Sequence, residues 1–371
     1  MEPMTPEQFG AQIQLLIEKQ NLTREQSYLL FRELMLDQQS PLQQGALLAA
    51  LTAKGETVEE IAGAWQAIDE FDTLHPDQLP DNLFENSGTG MDGFKTFNVS
   101  SAAAIVGAAN GVNMARHGAR AITSRCGTVD IMEAVGIDVD CPVTQVADSI
   151  CKAGIGLFNG MSPAVHPGGL GRILSQIRFG STLNIAASLA NPARPRQALR
   201  GVYSQQMVTT TATVMAKIGY QHGMVVYGSD ATTGLGMDEL SICGPSTICR
   251  FQGEQQEQFS MVPEDIGLVC RRGDEIAACN TREDEIRRFM QVISGTGRFN
   301  ACEAFVSLNA GALLWTAGKA PDLKQGITMA QETLSSGAAL NKLQQWVTCQ
   351  NSHAEAGLER FERVKKGACN A

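Results

Sequence analysis

The stretch Ser87-Gly-Thr-Gly-Met-Asp-Gly-Phe-Lys-Thr-Phe-Asn-Val-Ser-Ser101 decides the fold. A glycine-rich turn passes through a polar strand end into an alanine-rich run, read as a helix over 101–109. Glycines let backbone N–H groups approach an anion closely. Ser100 and Ser101 stand where the next helix begins, with its unpaired N–H groups and positive dipole end. Strand, glycine turn and helix start together suit a diphosphate cradle in an α/β fold. The plainer reading is a tight turn with a serine cap.

Three more stretches extend the pattern. Ala115-Arg-His-Gly-Ala-Arg-Ala-Ile-Thr-Ser-Arg-Cys-Gly-Thr-Val-Asp130 gathers three arginines and several hydroxyls in an acidic protein. It is read as a basic loop, in which Arg120 and Arg125 suit bidentate contact with phosphate oxygens. Gly234-Leu-Gly-Met-Asp-Glu-Leu240 sets adjacent carboxylates after a glycine turn, a donor set for Mg²⁺ shared with substrate phosphates. Ser162-Pro-Ala-Val-His-Pro-Gly-Gly169 places His166 beside an acceptor pocket. A charged turn, a solvated basic loop and a structural histidine are the respective plainer readings.

Before residue 75 the texture is helical. Thr5/Gln8, Thr23/Gln26, Ser40/Gln43 and Thr57/Glu60 each have capping-box spacing. Pro6 and Pro41 follow two of them at the first helical position. Apolar residues recur at helical spacing behind each signal. Residues 1–75 are read as a small helical domain, with an exit linker near 74–83. Beyond Phe84, small-residue helices alternate with short β-branched runs, and 84–371 is read as a larger α/β domain. Strands are expected at 201–203, 224–227 and 247–251, and covering helices at 281–292, 301–317 and 326–336.

The chain has 371 residues, 37 of them glycine, and a formal charge of -10. That balance disfavours nucleic-acid partners, which call for a basic surface. Its ten cysteines show no zinc-ligand spacing, so they read as reduced thiols in a cytoplasmic protein. No stretch is apolar enough to span a membrane.

In this order and spacing, the four stretches resemble the anthranilate phosphoribosyltransferases. The glycine loop is similar to that family's GTGGD…T-x-NVST signature, the basic stretch to KHGNRA-x-SS, and Asp238-Glu239 to its metal-binding DE. The tail, with Leu308-Asn-Ala-Gly-Ala and Gly318-Lys-Ala, resembles its closing helices. The resemblance implies a nucleoside phosphorylase/phosphoribosyltransferase-like architecture: an α/β domain and a small helical domain joined by part of 170–190. It implies a homodimer and transfer of 5-phosphoribosyl from phosphoribosyl diphosphate (PRPP) to anthranilate with Mg²⁺, a step of tryptophan biosynthesis. Carried over residue by residue, Gly88, Asp92, Thr96, Asn98, Ser100, Ser101, Arg116, Ser124 and Thr128 would face PRPP. Ser100, Asp238 and Glu239 would hold the metal, directly or through water. Gly88, His117, Ala119, His166 and Arg172 would border the acceptor.

The departures fall mostly on the acceptor side. Met91 and Arg116 replace the family's Gly and Lys. Ala119 stands where the family has the Asn that contacts anthranilate. Pro167-Gly-Gly replaces its PAM, and the segment beyond is about two residues shorter, so Arg172 and Arg178 both compete for the acceptor carboxylate. The GPL-x-NP run reads Ala187-Ser-Leu-Ala-Asn-Pro192. Another aromatic acceptor, a non-catalytic nucleic-acid-binding paralogue and a pyrimidine nucleoside phosphorylase are the alternatives.

Overall fold

The computed structural model describes residues 2–90, 92–120 and 126–369. Ser124, Thr123, Arg125 and Met91 lie outside them. All four capping signals start helices: Pro6–Ile17, Arg24–Met35, Pro41–Lys54 and Val58–Phe71. Three form the reciprocal box. At the fourth, Ser40 accepts from Gln43 N, but the Gln43 side chain donates to Pro6 O and ties the third helix to the first. The apolar faces meet in one core with Phe9, Leu16, Leu34 and Leu47 at its centre. Leu170, Ile173, Leu183 and Ala186 join that core from two later helices, Gly169–Leu174 and Thr182–Leu189. Burying each leucine contributes roughly 1.5–3 kcal/mol, which is what holds the mid-chain pair to the N-terminal helices.

The rest is α/β. Strands β1 (Leu83–Ser87), β2 (Asn113–Gly118), β3 (Ile155–Asn159), β4 (Gln197–Gly201), β5 (His222–Ser229), β6 (Gly236–Met237), β7 (Ser246–Gln252) and β8 (Gln255–Met261) form one sheet. Its order is β3-β2-β1-β4-β5-β7-β8, with β6 beside β5. The first five strands run parallel, and the pairings of β6, β7 and β8 are antiparallel. The order reverses between β1 and β4, a switch point that opens a crevice at the carboxyl ends of parallel strands.

Two strand expectations match β5 and β7. The third is displaced: β4 ends at Gly201, although Val202 N still bonds Val226 O before the chain turns. The basic stretch is no loop at its start, because Arg116, His117 and Gly118 close β2, with the first two buried. Such strands, covered on both faces, carry no alternating pattern to read. Helices Val99–Ala109 and Asn300–Thr316 cover one face, with Phe84 and Leu199 in their core. Ala198, Val225, Ile61 and Ile185 pack on the other. Among the described residues no helix is long and apolar enough to cross a membrane.

Candidate active site

The site lies at the switch point. Asp92, Asp238 and Glu239 each offer a carboxylate oxygen, and all three lie within 4.8 Å of one another. Asp92 comes from the loop after β1, the other two from the turn after β6. That turn is fixed from beneath. Asn309 pins it through Leu240, accepting from its N–H (3.0 Å) and donating to its C=O (3.1 Å). Backbone contact with β4 is so close that a methyl on Gly201 would overlap the Asp238 carbonyl. At Gly88 a Cβ would overlap the Asp238 carboxylate, a side-chain group and so a softer limit than the backbone contact at Gly201. Gly90 N donates to Asp238 Oδ2 at 2.7 Å, and Thr96 Oγ1 faces Glu239 at 3.5 Å.

Three carboxylates this close repel one another. Burial, then the Asp238 charge, pushes Asp92 up to about 6. Burial and both neighbouring carboxylates push Glu239 well above its ordinary range. The Lys95 ammonium, 2.8 Å from Asp92 Oδ1, supplies part of the missing positive charge. An all-oxygen set short of cations fits a divalent ion such as Mg²⁺. Cation binding must therefore displace protons as the pH falls through 6. Mg²⁺ affinity is expected to drop by about tenfold per pH unit for each proton displaced, and calorimetry between pH 5 and 8 measures it. For the cation-free protein the sign is opposite. A raised folded pKa means that stability from Asp92 is lost as pH rises from 3.8 to about 6.

Above the cluster stands the start of helix Val99–Ala109. Asn98 is its N-cap residue, yet its side chain makes no capping bond, and Oδ1 is buried without a partner. Glu285 fixes this corner by accepting from Asn98 N (3.3 Å) and Cys279 N (2.8 Å). Ser100 lines the narrow cleft with Asn86, Ser87, Gly201, Asp238 and Glu239. Ser101 is fully buried and accepts from Arg116 Nη1 at 2.6 Å, while Arg116 Nε donates to Asn86. That pair supports the helix start from below. Thr128 begins the helix Thr128–Ala134, beside Gly118. Arg120 is taken up by Glu133, Asp130 and Asp140.

The altered segment lies on the other side of the crevice. His117 and His166 face each other, Nε2 to Nε2, at 3.1 Å. Burial pushes both imidazoles down from the ordinary histidine range. His166 Nδ1 donates to the Asp72 carbonyl (2.7 Å), and the Asp72 carboxylate accepts from Gly168 N (2.5 Å) and Leu170 N (2.6 Å). Asp72 thus anchors the Pro167-Gly-Gly turn to the end of helix Val58–Phe71. Arg172 donates to Leu34 O and Gln44 Oε1 and pairs with Asp37, so its charge is spent on the helical core. Arg178 is exposed. The Ala119 carbonyl accepts from Val129 N.

Lys95, Asn309, Glu285, Asp72 and Gly201 carry no assigned role in the sequence. Two of them stand in stretches that the sequence marks: Lys95 in the glycine loop, and Asn309 as the polar residue of Leu308-Asn-Ala-Gly-Ala. Glu285 and Asp72 act on residues far along the chain, and Gly201 acts by having no side chain.

The same two-domain arrangement recurs in known proteins. The glycosyl transferase family helical bundle domain matches residues 12–71, and the family's a/b domain matches residues 81–340. The class is therefore a two-domain glycosyl transferase. The chain is 35% identical to the anthranilate phosphoribosyltransferase of Anaeromyxobacter sp. (strain Fw109-5), over 88% of this chain and 94% of that one. It is 35% identical to that of Polynucleobacter asymbioticus, over 92% and 98%. The crystal structure of anthranilate phosphoribosyltransferase from Thermus thermophilus superposes with a TM-score of 0.81 at 30% identity, covering 91% of this chain and 98% of that chain. The Saccharomyces cerevisiae enzyme in complex with PRPP and Mg shares the fold, with a TM-score of 0.82 at 23% identity over 95% and 100%. The chain belongs to the anthranilate phosphoribosyltransferase family.

Proposed function

We propose that this chain transfers the 5-phosphoribosyl group of PRPP to the amine of anthranilate, with Mg²⁺ as cofactor, in tryptophan biosynthesis. The observation that carries the reading is the carboxylate cluster at the switch point, whose Asp238 and Glu239 line one cleft with Ser100 at the start of helix Val99–Ala109. Asp92, Asp238 and Glu239 hold the cation, with Ser100 beside it. When bound, Mg²⁺ offsets negative charge on the departing diphosphate. Gly88, Thr96, Asn98 and the first N–H groups of helix Val99–Ala109 receive the diphosphate, and Thr128 borders it. Arg116 and Ser101 support that helix start from beneath. The amine is itself the nucleophile, so these residues act mainly by holding two substrates in line.

Gly88, His117, Ala119 and His166 border the acceptor, and Arg172 fastens their segment to the helical core. Residues 1–75 with part of 170–190 form the helical domain, and the remainder from 84 forms the α/β domain. A homodimer in the cytoplasm completes the reading, supported by exposed Ile17 (60%) and Leu42 (87%) on the helical bundle. Loss of anthranilate fluorescence on adding PRPP and Mg²⁺, with the product identified by mass, tests the reaction. No loss from a protein that binds Mg²⁺–PRPP would refute the acceptor.

A further inference from the structure

Arg200, next to the last residue of β4, is almost fully buried, yet among the described residues its bonds go only to Ser87 Oγ (2.6 Å), Ser188 O (3.1 Å) and Ser188 Oγ. No carboxylate among the described residues pairs with it, and its Nε has no partner. The nearest buried counter-charge is Glu85, already bonded by Tyr220 OH (2.5 Å) and Ser87 Oγ (3.2 Å). Arg116 also lies in the field of Glu85, so two buried guanidiniums share one carboxylate. A buried charge without a close partner is costly, and such local violations concentrate at functional sites.

The guanidinium sits behind Ser188, whose backbone lies against the His117 imidazole. Ser188 is half-buried on helix Thr182–Leu189, where its hydroxyl accepts from Arg200 and donates to Ile185 O at 2.7 Å. That second bond lies within its own helix, and a serine exchanges such a bond easily. We infer that the Ser188 hydroxyl, backed by the Arg200 guanidinium, receives the carboxylate of the acceptor. The inference rests on the function proposed above. Ser188 turns its proton from Ile185 O to the substrate, and Arg200 gains a counter-charge one hydroxyl away. Arg172, held by Asp37 and Gln44, does not take this part. Arg200 is a positioning residue, acting through Ser188, and the pair selects carboxylate-bearing aromatic amines over neutral ones.

The experiment measures steady-state kinetics with PRPP and Mg²⁺ for wild type, Ser188→Ala, Arg200→Met, Arg200→Lys and the double variant. Anthranilate and aniline serve as acceptors and benzoate as inhibitor. Arg200→Met should raise KM for anthranilate by about tenfold or more and leave KM for PRPP within about twofold. Ser188→Ala should act in the same direction, Arg200→Lys should restore part of the loss, and the double variant should be no worse than Arg200→Met. Benzoate should compete with anthranilate in the wild type and weaken in Ser188→Ala, a test that stands even where Arg200→Met fails to fold. An unchanged anthranilate KM and benzoate inhibition in Ser188→Ala overturns the inference while the function stands. So do variants that only lose Tm and active fraction. A wild type that binds Mg²⁺–PRPP but never transfers to anthranilate overturns the function, and the inference with it.

Discussion

Replacing Asp238 and Glu239 together by alanine is expected to lower turnover by about a thousandfold or more, since cation stabilisation of a phosphorylated leaving group is worth several kcal/mol. Mg²⁺-dependent PRPP binding should fall with it. The fold should survive. The two carboxylates are crowded against Asp92, and both neighbours raise the Glu239 pKa, so their removal relieves repulsion in the cation-free protein. The backbone of the turn is held separately, by Asn309 on Leu240. The glycine loop loses the Gly90 N–H bond to Asp238 and the long Thr89 and Thr96 hydroxyl contacts to Asp238 and Glu239. Calorimetry with PRPP at saturating Mg²⁺ gives the binding result, and thermal unfolding without Mg²⁺ gives the stability. Unchanged PRPP affinity would show that these carboxylates do not hold the cation.

Gly201→Ala is expected to destabilise the protein by about 3 kcal/mol or more, at or beyond the upper end of ordinary overpacking. The added methyl meets the Asp238 carbonyl and its carbon, which are backbone atoms and cannot rotate away. Either β4 or the Asp238-Glu239 turn must move, so cation binding should be lost even in the fraction that folds. Gly171→Ala is the control. It lies in helix Gly169–Leu174, and a Cβ added there would meet no atom within 4 Å. Alanine at that position should be neutral or stabilising by up to about 1 kcal/mol. Urea unfolding of both variants, with Mg²⁺ titration of each, makes the comparison. Equal stabilities for the two would mean that the close approach at Gly201 is not maintained in solution.

The sequence by itself determined the parts that depend on near neighbours. Capping signals marked the first four helices because a cap joins residues three apart. The glycine loop, the helix start at Ser100 and the Asp238-Glu239 pair were legible for the same reason, since each is a run of adjacent residues with one chemistry. Tertiary structure decided the rest. Parallel strands buried on both faces leave no alternation, so β1, β2 and β3 have no periodic signature, and Arg116 and His117 proved to be buried strand residues. The third carboxylate of the cluster, Asp92, stands far earlier in the chain than Asp238, and only the sheet order brings the two together. Arg172 looked available as a cation until the helical core placed Asp37, Gln44 and the Leu34 carbonyl around it. Arg200 carried no signal, because a lone arginine near a strand end has no meaning until burial removes its water and leaves its charge to be answered by what lies across the crevice.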